Sequence, residues 1–451
     1  MKMAFDGLDK LIPTYEGQEH LPIWLPKQAQ PWLDGSKHAL RQRKASKQKA
    51  LASATGLIRK HPWHWPQRDI IFISDLHADA DAFMASLIAS GGVRKTGAKV
   101  SQYELTPSGK KALFILGGDF FDKGPSNLRL LKHIHQFIKS GARVRLLAGN
   151  HDIRVLFGMS QVPNVNDPLN GHFFIRMGAK AIPFLKEISE QYLTKKILGD
   201  MPSNKACAEK LFPGEQWWSH FPEAAKWMMP QPAIEREMSK ITKKAERFEA
   251  LCDEAGLSMK EVYAAALEWQ KLFLRPEGEF YWFYQRMRLA HRRGSFLFVH
   301  AGLDDRTAAL IHDFGVSHLN KLFKKQLTGN PFEFYYGPIA NTIRTKYRAV
   351  DMPLTWHGTQ QAHAAGVHVI VHGHRNLHRG QRIAVRKGLL HFECDVTLDK
   401  GSRKKEGLSG NGAGATLIRP TGQILGISSD YKKVKVFHHP SILTEKEVNS
   451  G

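Results

Sequence analysis

Five polar clusters, each at a sharp turn, hold the residues whose types and spacing could do chemistry. They are Ser74-Asp75-Leu76-His77, Gly117-Gly118-Asp119-Phe120-Phe121-Asp122-Lys123-Gly124, Gly149-Asn150-His151-Asp152, Val299-His300-Ala301-Gly302 and His372-Gly373-His374-Arg375. Carboxylate, amide and imidazole are the donors that hard and borderline divalent cations take, and a carboxylate between two cations can bridge them. Asp75 and His77 stand two apart, so on an extended segment their side chains project to one side and can grip one ion. Asp119 is the candidate bridge. An Asp-x-His pair or a Gly-Asn-His-Asp turn by itself is common on protein surfaces. All of the clusters in order, each behind an apolar run, are far more specific.

Something must carry these stretches to one place. Ile70 to Ile73, Leu113 to Leu116 and Val144 to Leu147 read as buried strands, each soon followed by a turn rich in Gly, Asp or Asn. Stretches 79–90 and 127–140 read as the helices between them, giving a β-α-β succession in which functional groups collect at the carboxyl ends of strands. From about 158 to 293 the pattern changes to helical segments rich in Lys, Glu, Ala and Trp, notably 183–198, 233–255 and 259–273. Strand signals return at 296–299 and 367–371, followed by β patterns at 382–386, 389–396, 415–418, 424–427 and 434–437. The organisation expected is a basic extension over 1–66, a core over 67–157 and 294–440, a helical insertion over 158–293, and a tail over 441–451.

Taken together, the clusters resemble those of the calcineurin-like metallophosphoesterase superfamily, and most nearly the bacterial branch of the phosphoprotein phosphatase (PPP) family. That family's pattern runs GDxHG, GDxxDRG, GNHE, HGG or HAG, and GH. The resemblance covers residues 68–157 and roughly 295–400. It departs from the pattern at Ser74 and Ala78, where glycines are usual, at Lys123 in place of Arg, and at Asp152 in place of Glu. The fold it implies is α/β, a four-layer α/β/β/α metallophosphoesterase sandwich, with the helical insertion overhanging a dinuclear metal centre.

Carried over by position, Asp75, His77 and Asp119 would hold the first metal, while Asp119, Asn150, His300 and His374 would hold the second. Asn376 stands where the wider superfamily has another histidine. The resemblance implies phosphate monoester hydrolysis, on a phosphoprotein or a small phosphorylated molecule, by direct attack of a metal-bridging hydroxide. His151 would be the general acid and Asp122 its partner, a role suited to an imidazole titrating near pH ~6.5. Lys123, Arg154 and Arg375 would share the positioning of phosphate, because Lys keeps the charge of Arg without its two-pronged geometry. The cofactors expected are two divalent metal ions, manganese first, with Fe, Zn, Ni or Co also compatible. A phosphodiesterase or nucleic-acid-end phosphatase is the alternative, and a nucleic-acid-binding scaffold with a degenerate metal site ranks below both.

Composition bounds the rest. The 451 residues carry a formal charge of +23, a field that attracts nucleic acid, phosphorylated molecules or acidic surfaces without choosing among them. Part of the surplus lies at 37–60 and 400–405, read as a solvated helix and a solvated loop in preference to a nucleic-acid patch. Cys207, Cys252 and Cys394 lie far apart, without disulfide or zinc-ribbon spacing, which fits a reducing cytoplasm. Neither an export signal nor a membrane span is expected. His61 and His64, beside Trp63 and Trp65, read as surface or packed histidines because no carboxylate accompanies them. Trp217, Trp218, Trp227 and Trp269 read as core of the insertion.

Overall fold

The structure is a computed structural model that describes residues 7–32, 56, 60–163 and 169–438. Most of the basic stretch 37–60, and the tail 441–451, lie outside the described residues.

Two sheets stack face to face. The larger runs in the order Ala29–Pro31, Val434–His438, Gln423–Ser428, Gly414–Ile418, Ile70–Ile73, Leu113–Leu116, Arg143–Leu147 and Met287–Arg288. The smaller runs Arg382–Arg386, Leu389–Glu393, Val369–His372, Phe296–Val299 and Ala290–Arg293. Strands Ile70–Ile73, Leu113–Leu116 and Arg143–Leu147 are mutually parallel, as are Phe296–Val299, Val369–His372 and Leu389–Glu393. Parallel strands covered on both faces need apolar residues at successive positions, which is why these segments read as unbroken apolar runs.

The alternation of side chains sorts each run into two cores. Ile70, Phe72, Leu113, Ile115, Phe296, Phe298, Val369 and Val371 fill the space between the sheets, while Ile71, Ile73, Phe114, Leu116, Leu297, Val299 and Ile370 face the helices outside. The rings of Phe72 and Phe298 meet across the sandwich with centroids 5.9 Å apart. Truncating a ring so enclosed costs about 3–5 kcal/mol. Helices Ala80–Ala89, Asn127–Lys139 and Asn150–Ser160 connect the parallel strands of the first sheet, and helices Asp305–Leu327 and Trp356–Ala364 lie between strands of the second. The four-layer α/β/β/α arrangement follows.

Between the halves come helices from Phe173–Met177 to Tyr281–Arg286, among them Ile182–Tyr192, Gln231–Glu254 and Met259–Leu274. Trp217 and Trp269 are buried in this part, whereas Trp227 is 91% exposed. Strands Met287–Arg288 and Ala290–Arg293, at the end of the stretch read as helical, instead edge the two sheets. Their arginines and His291 interrupt the apolar run by which a strand is usually read. Ala29–Pro31 also escaped the sequence, because a three-residue edge strand containing proline carries almost no pattern. Residues 400–405, read as a solvated loop, form a helix whose Arg403 is buried and paired with Asp430 at 2.7 Å. The three cysteines are buried and free. Among the described residues, no helix is long and apolar enough to cross a membrane.

Candidate metal centre

All five polar turns meet at the carboxyl ends of the parallel strands. Their backbone is held where side chains rarely go: Asp75, His77, Ala78, Asp119, Asp122, Lys123 and His374 all have positive φ, between 39° and 70°. Each such residue costs free energy of order 1 kcal/mol, and the cost persists only where surrounding structure enforces it. Two glycines let the turns close. A Cβ on Gly149 would lie 2.1 Å from the Asp119 amide nitrogen, and one on Gly373 would lie 2.0 Å from Oδ2 of Asp75.

Asp119 sits at the centre. Its Oδ1 accepts the backbone N–H of His151 at 2.8 Å, and its carboxylate lies 3.7 Å from His77 Nε2, 3.9 Å from His151 Nε2 and 3.5 Å from His300 Nε2. Two clusters result that share this one carboxylate: His77, Asp119 and His151, and Asp119, His300 and His374. Within each, one donor atom per residue lies within 4.8 Å of the others. Asn150 joins the second cluster, with Oδ1 3.3 Å from His300 Nε2.

The tautomers are fixed from behind. Backbone carbonyls only accept, so His77 donates Nδ1–H to Phe121, His300 donates Nδ1–H to Gly117, and His374 donates Nε2–H to Arg344, over 2.9, 2.8 and 3.1 Å. Each ring therefore turns its remaining lone pair inward. His300 Nε2 lies 3.2 Å from His374 Nδ1, so acceptor faces acceptor across a pocket that also presents Asn150 and Asp119 oxygens. A proton on His300 Nε2 or a bound cation satisfies such a set, and the residues suit divalent cations in the manner of carbonyl-anchored imidazole ligands.

The titration behaviour agrees. Burial alone would lower the His300 pKa, but the Asp119 and Asp75 carboxylates outweigh it and raise it to about 10. Burial, reinforced by Lys123, keeps His77 well below its ordinary value, and burial with His300 does the same to His374. Although burial opposes it, the imidazoles of His300, His151 and His77 hold the Asp119 carboxyl well below the usual range.

A second hydrogen-bonded group adjoins the first. His151 Nδ1 lies 2.7 Å from Asp122 Oδ2, which also accepts from Arg154 at 2.7 Å. Against the effect of burial, His151 and Arg154 pull Asp122 down to about 2. Burial dominates at His151 and lowers it to about 4. Asp152 works through the backbone, accepting the amides of Asp119, Phe120 and Gly149 at 2.9, 2.7 and 2.8 Å and so clamping two of the turns together.

The remaining candidates spread around this centre. Asp75 accepts the His374 amide at 3.0 Å and the Ser74 hydroxyl at 2.5 Å, but it is in neither cluster. Lys123 Nζ lies 2.7 Å from His77 Nε2. Arg375 leans on Glu393 at 3.5 Å, where Arg382 and Arg386 also pair. Asn376 bonds to Glu406 and is exposed. His372 donates Nδ1–H to the Gly373 carbonyl at 3.0 Å and packs edge-on against His391, outside both clusters. Sequence reasoning missed Lys180, which the insertion brings close enough to Arg154, Asp122 and Lys123 to feel their charges. Nor did it point to Tyr284, whose hydroxyl donates to the Asp152 carbonyl at 3.0 Å. Neither residue lies in a strand-end turn.

The calcineurin-like phosphoesterase family model matches residues 68–236, the stretch that supplies Asp75, His77, Asp119, Asn150 and His151. Over that stretch the chain is similar to calcineurin-like phosphoesterases. A comparison with curated proteins gave no match. Among solved structures, the chain is similar to a cold-active protein tyrosine phosphatase at 13% identity and a TM-score of 0.43, over 82% of this chain and 78% of that one. It is similar to the cold-active protein-tyrosine phosphatase of a psychrophilic Shewanella species at 13% identity and a TM-score of 0.40, over 82% and 80%. A protein serine/threonine phosphatase from Saccharomyces cerevisiae, described as similar to human phosphatase PP5, matches at 12% identity and a TM-score of 0.38, over 88% and 89%. The stretch similar to calcineurin-like phosphoesterases thus carries His and Asp groups able to bind metal.

Proposed function

We propose that the protein is a dinuclear, PPP-like phosphatase that hydrolyses phosphate monoesters. The observation that carries this reading is the sharing of Asp119 by two His/Asp clusters in which His77, His300 and His374 turn a ring lone pair inward. Asp75, His77 and Asp119 are assigned to the first cation, and Asp119, Asn150, His300 and His374 to the second. Cations held there, Mn²⁺ first and Fe, Zn, Ni or Co next, supply charge to phosphoryl oxygens and lower the pKa of a water.

The protein's own groups do the rest. Lys123 and Arg154, with Lys180 at the rim and Arg375 further out, draw in the phosphoryl dianion. His151, oriented through Nδ1 by Asp122, turns Nε2 toward the reacting region and delivers a proton to the departing oxygen. The negative charge of bound phosphate opposes the burial that lowers this imidazole's pKa, so the proton is held when substrate is present. Buried, unpaired cysteines support a cytoplasmic setting.

The deciding experiment strips the protein with chelator, refills it with Mn²⁺ and compares a chromogenic monoester with the matching diester. Faster monoester turnover, abolished in Asp119→Asn, is the expected result. Unchanged turnover in that variant would overturn the bridging role. The charge of +23 favours a diesterase or nucleic-acid-end phosphatase as the second reading, and a faster diester rate would select it.

A further inference from the structure

Away from the candidate metal centre, three histidines from two distant parts of the chain converge. His61 precedes strand Ile70–Ile73, His363 lies in the last turn of helix Trp356–Ala364, and His368 immediately precedes strand Val369–His372. One nitrogen from each lies within 4.8 Å of the other two. His374 follows that same strand at its other end, about 20 Å away at ~3.3 Å per residue.

The chemistry of the three rings is specific. His363 Nε2 faces the Gly388 carbonyl at 3.0 Å and must donate to it, which leaves a lone pair on Nδ1. That Nδ1 lies 2.9 Å from Nδ1 of His368. The His61 ring stacks on His363 with centroids 3.8 Å apart and planes 6° from parallel, and because a metal–nitrogen bond lies in the ring plane, His61 must turn out of this stack to share an ion with His363. The charged neighbours are Lys60, which lowers His61 and His363, and Arg292, which lowers His368. Burial is the larger cause at each ring and takes His368 to about 4, so all three imidazoles are neutral near pH 7.

The backbone holds these segments in place independently of the rings. Ser295 gives its N–H to the His64 carbonyl at 2.8 Å, its hydroxyl accepts the His64 N–H at 2.9 Å, and its carbonyl accepts the His368 N–H at 3.0 Å. Gly366, at φ +73°, turns the chain so that His363 and His368 face each other across the helix end. Trp63 is inserted between the sheets, 5.4 Å from the Phe296 ring and 5.5 Å from the Phe437 ring.

We propose that His61, His363 and His368 form a second metal site, for a single Zn²⁺ ion or a comparable imidazole-preferring cation, with its fourth position open to solvent. Borderline divalent ions favour neutral imidazole, a three-histidine set is an established open zinc arrangement, and the bond from His363 to a backbone carbonyl is the outer contact such ligands use. An ion there pins the chain at residue 61 to the outer end of the second sheet. A direct hydrogen bond between His363 and His368 is the competing explanation, and it leaves His61 without a polar role.

The test uses the full chain, stripped with chelator, titrated with Zn²⁺ and assayed for bound zinc after desalting. His61→Gln and His368→Gln should each bind about one Zn²⁺ per chain fewer than the parent, and Asp119→Asn should retain that same equivalent. Zinc should raise the melting temperature of Asp119→Asn but not of the double variant Asp119→Asn, His61→Gln. Both histidine variants should keep their Mn²⁺-dependent phosphatase rate, so loss of this site and failure of the phosphatase reading are separate outcomes. Equal zinc content in the parent, His61→Gln and His368→Gln would overturn the proposal.

Discussion

Nζ of Lys123 lies 2.7 Å from Nε2 of His77, the lone pair assigned to the first cation. An ammonium and a metal ion cannot share that lone pair, so loading the site displaces Lys123 toward the place where phosphate is expected. Lys123→Met therefore has opposed effects. The Mn²⁺ concentration for half-maximal activity falls, while KM for the monoester rises about tenfold, the scale of one charge-assisted hydrogen bond. Lys123→Arg recovers KM. Manganese activation curves and steady-state kinetics check both; a weaker Mn²⁺ response in Lys123→Met would sink the argument.

Asp152 is a structural clamp rather than a ligand, because its two oxygens take amides from the turns that carry Asp119 and Gly149. Asp152→Asn replaces one acceptor with an NH₂ group that confronts buried N–H donors. The expected loss is about 2 kcal/mol of stability, with Mn²⁺ affinity reduced about 10–100-fold through the disturbed turns. Urea unfolding and metal titration measure the pair. A variant as stable as the parent would show that the three amides find other partners.

If His151 delivers the proton, its value depends on the leaving group. His151→Gln should slow hydrolysis of an alkyl phosphate about 10²–10⁴-fold and that of 4-nitrophenyl phosphate much less, since nitrophenolate departs without a proton. Asp122→Asn, which removes the carboxylate 2.7 Å from Nδ1, should shift rates in the same direction. Equal losses on both substrates would reassign His151 to binding.

The candidate ligands were legible because each stands at a strand end, and strands buried on both faces announce themselves as apolar runs: Ile70 to Ile73 predicts where Asp75 and His77 must lie, and Val369 to Val371 predicts His374. Order along the chain did the rest. What escaped was set by tertiary approach. Lys180 reaches the centre only because the insertion folds back, and nothing in Gly178-Ala179-Lys180 differs from an ordinary surface turn. His61 is separated from His363 and His368 by some three hundred residues of sequence, so only the backbone bonds of Ser295 reveal them as neighbours. The carbonyl partners of the imidazoles, Phe121, Gly117 and Arg344, were equally out of reach, because a backbone acceptor leaves no mark in residue type.

His291 allows a pH argument away from the metals. It lies in edge strand Ala290–Arg293, 6% exposed, and burial together with Arg293, Arg145 and Arg288 lowers its pKa to about 3. In the unfolded chain the ordinary value is about 6.5. Above that pH the ring is neutral in both states and contributes no pH dependence. Between 6.5 and 3 the unfolded chain takes up a proton that the folded one refuses, so stability falls as the pH falls through this window. His291→Phe removes the proton site and keeps a flat ring beside Phe298, 6.5 Å away. Between pH 7.5 and pH 4.5 the variant should lose about 2–3 kcal/mol less than the parent, each of the two pH units below 6.5 being worth about 1.4 kcal/mol at most. Urea unfolding at the two pH values measures the difference, and parallel losses in both proteins would mean that His291 is protonated, and accommodated, in the fold.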